Sequence, residues 1–209
     1  MQHGGRLLPL LCDQTKPAEV AAAYVQAERE LGPSGVSVQN AGVNTIAKVE
    51  NLTEREWELN LDPNAERAFP CQGAIRRVRA SGTRGRILST AWCQPRDGVI
   101  FTPYCAASKF GVVGPLQSQA REVAAEGTTV SAICPDPINT DIWDDDRVRG
   151  QMRGDRGAGE LTADWPVGIP MKRAGVPAEV GARVVVLASE VTAGIIGQTI
   201  SVDGGLVMS

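Results

Sequence analysis

Three consecutive stretches decide the fold: Gly85–Trp92 (GRILSTAW), Tyr104–Glu126 (YCAASKFGVVGPLQSQAREVAAE) and Thr128–Cys134 (TTVSAIC). The first and third are short apolar runs bounded by turn residues, the pattern of buried strands. The second is too long for a strand and stops at Gly127, as helices do. The spacing predicts strands over Arg86–Ala91 and Thr128–Cys134 with a helix over roughly Tyr104–Glu126 between them. A crossover of that length joins parallel strands.

The same alternation continues outward. Arg6–Cys12 (RLLPLLC) reads as a strand, followed by Asp13 and a helix start at Thr15 and Pro17. Val20, Tyr24, Ala27 and Leu31 recur at helical spacing, and Gly32-Pro33 ends that helix. Val36–Val38 is a short strand running into Gln39-Asn40-Ala41-Gly42. Thr53 and Glu56 have capping-box spacing, so a helix starts near Glu54 and the helical region extends toward Arg79. Pro177–Ser189 is a helix and Gln198–Val202 a last strand. Residues 136–170 are polar, Gly-rich and irregular, with acidic Asp144–Asp146, and read as a lid-like loop. The expectation is one domain over 1–209, an α/β fold with a mostly parallel sheet covered on both faces.

Composition excludes several classes. The 209 residues are 43% hydrophobic and 22% charged, with a net charge of -3, so neither a disordered tail nor a basic nucleic-acid binder is indicated. No apolar run is long enough to span a membrane. The five cysteines are dispersed and form no CxxC, which points to free thiols in a reducing cytoplasmic setting. The only histidine is His3, so no metal site is expected and acid–base chemistry falls to Tyr, Lys, Asp, Glu or Cys.

In open parallel sheets ligands bind at the carboxyl ends of strands. Here those ends carry Asp13, Asn40-Ala41-Gly42, Ser89–Trp92 and Pro135–Thr140. Tyr104 and Lys109 open the helix that follows one of them. A nearby ammonium favours the ionised phenol, which makes a tyrosine a usable acid–base. Their separation of five residues sets them about 140° apart on a regular helix, so they share a face only across a π-bulge. The bland alternative is a packed tyrosine and an exposed lysine.

These pieces stand in a familiar order. CDQTKPAEV, QNAGV, WELNLDPNAERAF, GRILSTAW, YCAASKFGVVG, AICPDPINTDIW and GQTISVDGG together resemble the short-chain dehydrogenase/reductase family over nearly the whole chain. The resemblance implies a Rossmann-like doubly wound sheet and NAD- or NADP-dependent interconversion of an alcohol and a ketone. It also implies a homo-oligomer, or a mixed oligomer with a relative. By position it assigns Asp13 to the adenine and Asn40, Ala41 and Gly42 to the ribose side. Ile138 and Thr140 fall to the nicotinamide amide, and Lys109 to the nicotinamide ribose and the tyrosine. Asn64 would support a proton-relay water, and Tyr104 would be the acid–base. Thr140-Asp141-Ile142-Trp143 is similar to polyol and small-diol dehydrogenases.

The chain departs from the family in three ways. It begins at the family's third strand, without the first β-α-β-α portion and its Gly-rich phosphate turn. Trp92 stands where the family has a serine, 17 positions before Lys109, and Cys105 stands where it has the tyrosine, four before. Pro63, Pro70 and Pro115 fall within expected helices, where an interior proline costs about 3 kcal/mol. A catalytically inactive remnant, an assembly partner of a full-length relative, and an incomplete chain with a mis-assigned start are the alternatives these departures raise.

Overall fold

The computed structural model describes residues 5–45, 48–65, 68–91, 103–140 and 165–208. The elements run α1 (Pro17–Leu31), β1 (Val36–Gln39), α2 (Glu54–Ala65), α3 (Ala68–Ser81), β2 (Arg86–Thr90), α4 (Pro103–Val123), β3 (Thr129–Pro135), α5 (Trp165–Gly168), α6 (Pro177–Ala188) and β4 (Thr199–Val202). Single 3-10 turns occupy Val49–Asn51, Ala124–Glu126 and Glu190–Thr192.

Among the described residues the sheet has four strands in the order β1-β2-β3-β4. All three pairings are parallel: Val38 is opposite Leu88, Leu88 opposite Ser131, and Cys134 opposite Ser201. Alternation along the strands divides the core. Ile87, Val130, Ala132 and Cys134 face α3 and α4, where they meet Cys71, Ile75, Val112, Leu116 and Val123. Leu88 and Ile133 face the other way, onto Leu187 and the partly buried Val180 and Val184 of α6. Both faces of β2 and β3 are thereby covered, which is why these strands read as continuous apolar runs. The architecture is the expected Rossmann-like one.

One strand expectation changes. Arg6–Cys12 forms no strand, and Leu7 and Leu11 are exposed. Pro9 lacks the N–H that a strand interior needs, and no neighbouring strand accepts the segment. β1 is an edge strand, and its Val36 and Val38 remain 45% and 43% exposed.

The prolines are accommodated unequally. Pro70 is the third residue of α3, inside the first turn, where its missing N–H has no helical partner to lose. Pro63 lies in the last turn of α2. Pro115 does sit inside α4, which continues through it. α4 gives way to the 3-10 turn Ala124–Glu126, which Gly127 closes at φ 73°.

Two local devices yield testable consequences. Gly204 follows buried Asp203, whose carboxylate accepts the N–H groups of Gly205 and Val207. At φ +64°, a Cβ on Gly204 would lie 2.8 Å from Ile169 Cγ2. Gly204→Ala is expected to cost about 1–2 kcal/mol, read as a lower urea midpoint at unchanged slope.

At the start of α6, Glu179 accepts the Val176 N–H at 2.8 Å and is paired with Arg173 at 2.6 Å. The Arg173 guanidinium first, then that N–H, holds the Glu179 carboxyl down to about 2, against an ordinary 4.5. Its contribution to stability is therefore complete above about pH 4.5 and is lost as pH falls toward about 2. Glu179→Gln is expected to lower the melting temperature at pH 7, with the difference from the parent closing across that acid range.

Candidate active site

The carboxyl ends of β1, β2 and β3 open into a cavity of about 760 Å³. Its polar wall is made by Asn40, Asn44, Thr90, Lys109 and Thr140, with the backbone of Ala41 and Gly42. Its apolar wall is made by Val38, Ile138, Val180 and Val184. Val38 of the edge strand β1, 43% exposed, lies on that apolar wall. Its volume lies within the range of cofactor and small-molecule sites, roughly 300–1,000 Å³.

Each polar residue is placed by the fold. Asn40 follows the last residue of β1, and Thr90 ends β2. The Thr90 hydroxyl donates to Asn40 Oδ1 at 2.9 Å, tying the two strand ends together. Ile138 and Thr140 lie beyond β3, on a loop held by a parallel bridge between Ile138 and Gly175. Asn139 N–H donates to the Gly175 carbonyl, and Gly175 N–H to that of Pro137. A Cβ at position 175 would lie 2.5 Å from Ile138 Cδ1, so that terminal methyl would have to swing aside to admit it.

The helix α4 presents Cys105 and Lys109 to this cavity. They are four residues apart and share a helical face. Both are buried, Lys109 at 8% exposure. α4 is α-helical throughout, without a π-bulge, so Tyr104 does not share that face. Tyr104 is buried against Trp57 in an edge-on ring contact at 5.5 Å, and its hydroxyl donates to the Thr53 carbonyl at 2.8 Å. Burial and then the Glu56 carboxylate push the phenol up from its ordinary value, the opposite of the lowering expected from a neighbouring lysine. Tyr104 is not among the residues lining the cavity.

Asn64 lies within α2, but its side chain is outside the described residues. The asparagine that the structure buries completely is Asn60, one turn earlier. Its Oδ1 accepts the Thr45 N–H at 3.2 Å, while its Nδ2 donates to Thr45 Oγ1 and to the Glu56 carbonyl. These bonds clamp the segment after Gly42 onto α2 and so shape one cavity wall. Neither Asn60, Asn44 nor Cys105 was singled out for a site role from sequence. The LNL triplet at 59–61, with a polar residue between leucines on a helix, was the available signal for Asn60.

Asp13 stands apart from the cavity-lining residues. Its Oδ1 accepts the Thr15 hydroxyl at 2.7 Å and the Thr15 N–H at 3.0 Å, forming the turn before α1. These bonds, the hydroxyl first, hold its carboxyl below the usual range. The neighbouring Gln14 reaches across to the Ala41 carbonyl at 3.4 Å. Trp92 and most of the loop expected over 136–170 lie outside the described residues. Among the described residues there is no cluster of metal-ligating side chains and no helix long and apolar enough to cross a membrane.

The comparisons with known proteins agree with this geometry. A family model described as enoyl-(acyl carrier protein) reductase matches residues 1–207. The 3-oxoacyl-[acyl-carrier-protein] reductase MabA of Mycobacterium tuberculosis is 33% identical over 199 residues, covering 94% of this chain and 75% of that protein. L-2,3-Butanediol dehydrogenase of Corynebacterium glutamicum is 31% identical over 196 residues, covering 93% of this chain and 76% of that protein. Among solved structures, a short-chain type dehydrogenase/reductase from Mycobacterium marinum superposes with a TM-score of 0.88 at 27% identity, over 99% of this chain and 78% of that one. The chain therefore belongs to the short-chain dehydrogenase/reductase family.

Proposed function

We propose that the cavity binds NAD or NADP and that the chain interconverts an alcohol and a ketone, acting on a small carbonyl compound or diol. The observation that carries this reading is the buried Lys109 on the wall of a cavity at the carboxyl ends of three parallel strands. The relatives supply the reaction class. One is named a 3-oxoacyl-[acyl-carrier-protein] reductase and another an L-2,3-butanediol dehydrogenase.

The residues present fit the nicotinamide and ribose half of such a dinucleotide. Asn44 Oδ1 is buried at the wall and has no hydrogen-bond partner among the described residues, so it offers an acceptor to a hydroxyl or carboxamide. Lys109 would hold the ribose hydroxyls. Asn40, Ala41 and Gly42 would follow the ribose side, and Ile138 with Thr140 would meet the carboxamide. When bound, the reduced dinucleotide supplies a hydride. The protein's own contribution is to orient that ring against the apolar wall of Val180 and Val184, to exclude water there, and to hold a positive charge at Lys109 Nζ beside the reacting oxygen. That charge stabilises a developing alkoxide. A homo-oligomeric state and a reducing compartment complete the reading, the latter supported by the dispersed cysteines, which form no CxxC.

The test is loss of NADH or NADPH absorbance with a panel of ketones, 3-oxoacyl thioesters and hydroxyketones. Turnover with at least one class is expected. No turnover from folded protein that binds either dinucleotide would favour the inactive alternative.

A further inference from the structure

We propose that Thr90 is a positioning residue for dinucleotide binding: its hydroxyl holds the side-chain amide of Asn40 so that the amide nitrogen donates to a ribose oxygen. The proposal rests on reading the cavity as a dinucleotide site. The parallel register sets Val38 opposite Leu88 and Gln39 opposite Ser89, so Asn40 and Thr90 come next, at the carboxyl ends of β1 and β2. Side chains alternate across strands. Gln39 and Ser89 turn toward the α3 side, where the Ser89 hydroxyl donates to Gln39 Oε1 at 3.0 Å and the Cys71 thiol donates to the same oxygen. Val38, Asn40 and Thr90 turn the other way and line the cavity.

The Thr90 hydroxyl donates to Asn40 Oδ1 at 2.9 Å. The amide is planar, so fixing its oxygen also fixes its nitrogen, which carries two hydrogens to donate. Asn40 is exposed at the cavity wall, and among the described residues its Nδ2 has no acceptor in the protein. It is therefore left to donate to a bound molecule. The ribose, whose side Asn40, Ala41 and Gly42 would follow, supplies oxygens that accept such a bond. Without the Thr90 hydroxyl the terminal torsion of Asn40 is broad. The ligand must then bear the cost of ordering the amide.

Two features weigh against a bond that merely ties the strands. The buried Ser89–Gln39 bond already joins the same two strands one residue earlier. The Thr90–Asn40 bond is exposed, where water replaces a lost partner, so its removal costs the fold little.

The test measures NADH and NADPH affinity by calorimetry, with a thermal melt of each protein. The parent chain is compared with Thr90→Val, Thr90→Ser, Asn40→Ala and the double variant Thr90→Val/Asn40→Ala. Valine keeps the shape of threonine and removes the hydroxyl. Thr90→Val is expected to weaken dinucleotide binding about tenfold at a nearly unchanged melting temperature, and Thr90→Ser to recover most of that loss. With Asn40 already replaced by alanine, Thr90→Val is expected to cost less than about twofold, because the amide it positions is gone. In the NMR spectrum of ligand-free protein, the Asn40 side-chain amide pair, identified by its loss in Asn40→Ala, is expected to move in Thr90→Val. Unchanged affinity in Thr90→Val overturns the proposal, whether or not the melting temperature falls. So does an equal cost of Thr90→Val with and without Asn40, a Thr90→Ser variant as weak as Thr90→Val, or an amide pair that does not move. A folded parent chain that binds neither dinucleotide is a different failure: it removes the oxidoreductase reading itself, and the assignment of Thr90 with it.

Discussion

Asn60→Leu is expected to destabilise the chain by about 3 kcal/mol. Asn60 is fully buried, and leucine has the same branching and at least the same bulk, so the loss does not come from a cavity. It comes from the partners left behind. Buried Thr45 keeps an N–H with no acceptor and a hydroxyl with no donor, and the Glu56 carbonyl loses its second bond. Each stranded buried group costs about 1–3 kcal/mol. Urea denaturation reads the effect as a lower midpoint at unchanged slope. Because Thr45 closes the segment after Asn44, dinucleotide affinity is expected to fall as well.

Lys109→Met is expected to lower kcat/KM at least 100-fold and to weaken dinucleotide binding at least tenfold, about 1.4 kcal/mol or more in binding free energy. Methionine preserves the unbranched chain packed within α4 while removing the ammonium. The melting temperature is therefore expected to change little, and the loss to appear in the site rather than in the fold. If the melting temperature falls steeply, Lys109 is a packing residue and the assignment of its charge to the site is wrong. Initial rates and a thermal melt on the same sample separate the two.

Much of the architecture was legible because its signals are local. The runs ILST and TVSAIC are buried on both faces and flanked by glycine or threonine turns, so strand and crossover could be placed before any contact was known. Gly127 marked the end of the α4 segment directly. Arg6–Cys12 misled because its apolar run resembles a strand, whereas strand formation depends on a neighbour elsewhere in the sheet. Pro70 looked costly until its place in the first turn of α3 was known.

The site was legible at the strand ends and less so on the helix. Asn40, Ala41, Gly42, Ile138, Thr140 and Lys109 all line one cavity, since the ends of parallel strands gather whatever follows them. The helical phase of α4 separates Tyr104 from the cavity lining and turns Cys105 toward it. A single residue rotates a side chain by about 100°, so the tyrosine goes to Trp57 and the cysteine to the cavity. Asn60 was hidden for a different reason: its partner Thr45 lies 15 residues earlier, across a turn whose path the sequence does not reveal.

The most direct test of the central claim is calorimetric titration of the folded chain with NADH and with NADPH, repeated on Lys109→Met. A single saturating site for at least one dinucleotide, weakened tenfold or more by the substitution, is the predicted result. A chain that melts cooperatively yet binds neither dinucleotide, or binds one with the same affinity after Lys109 is replaced, would contradict it.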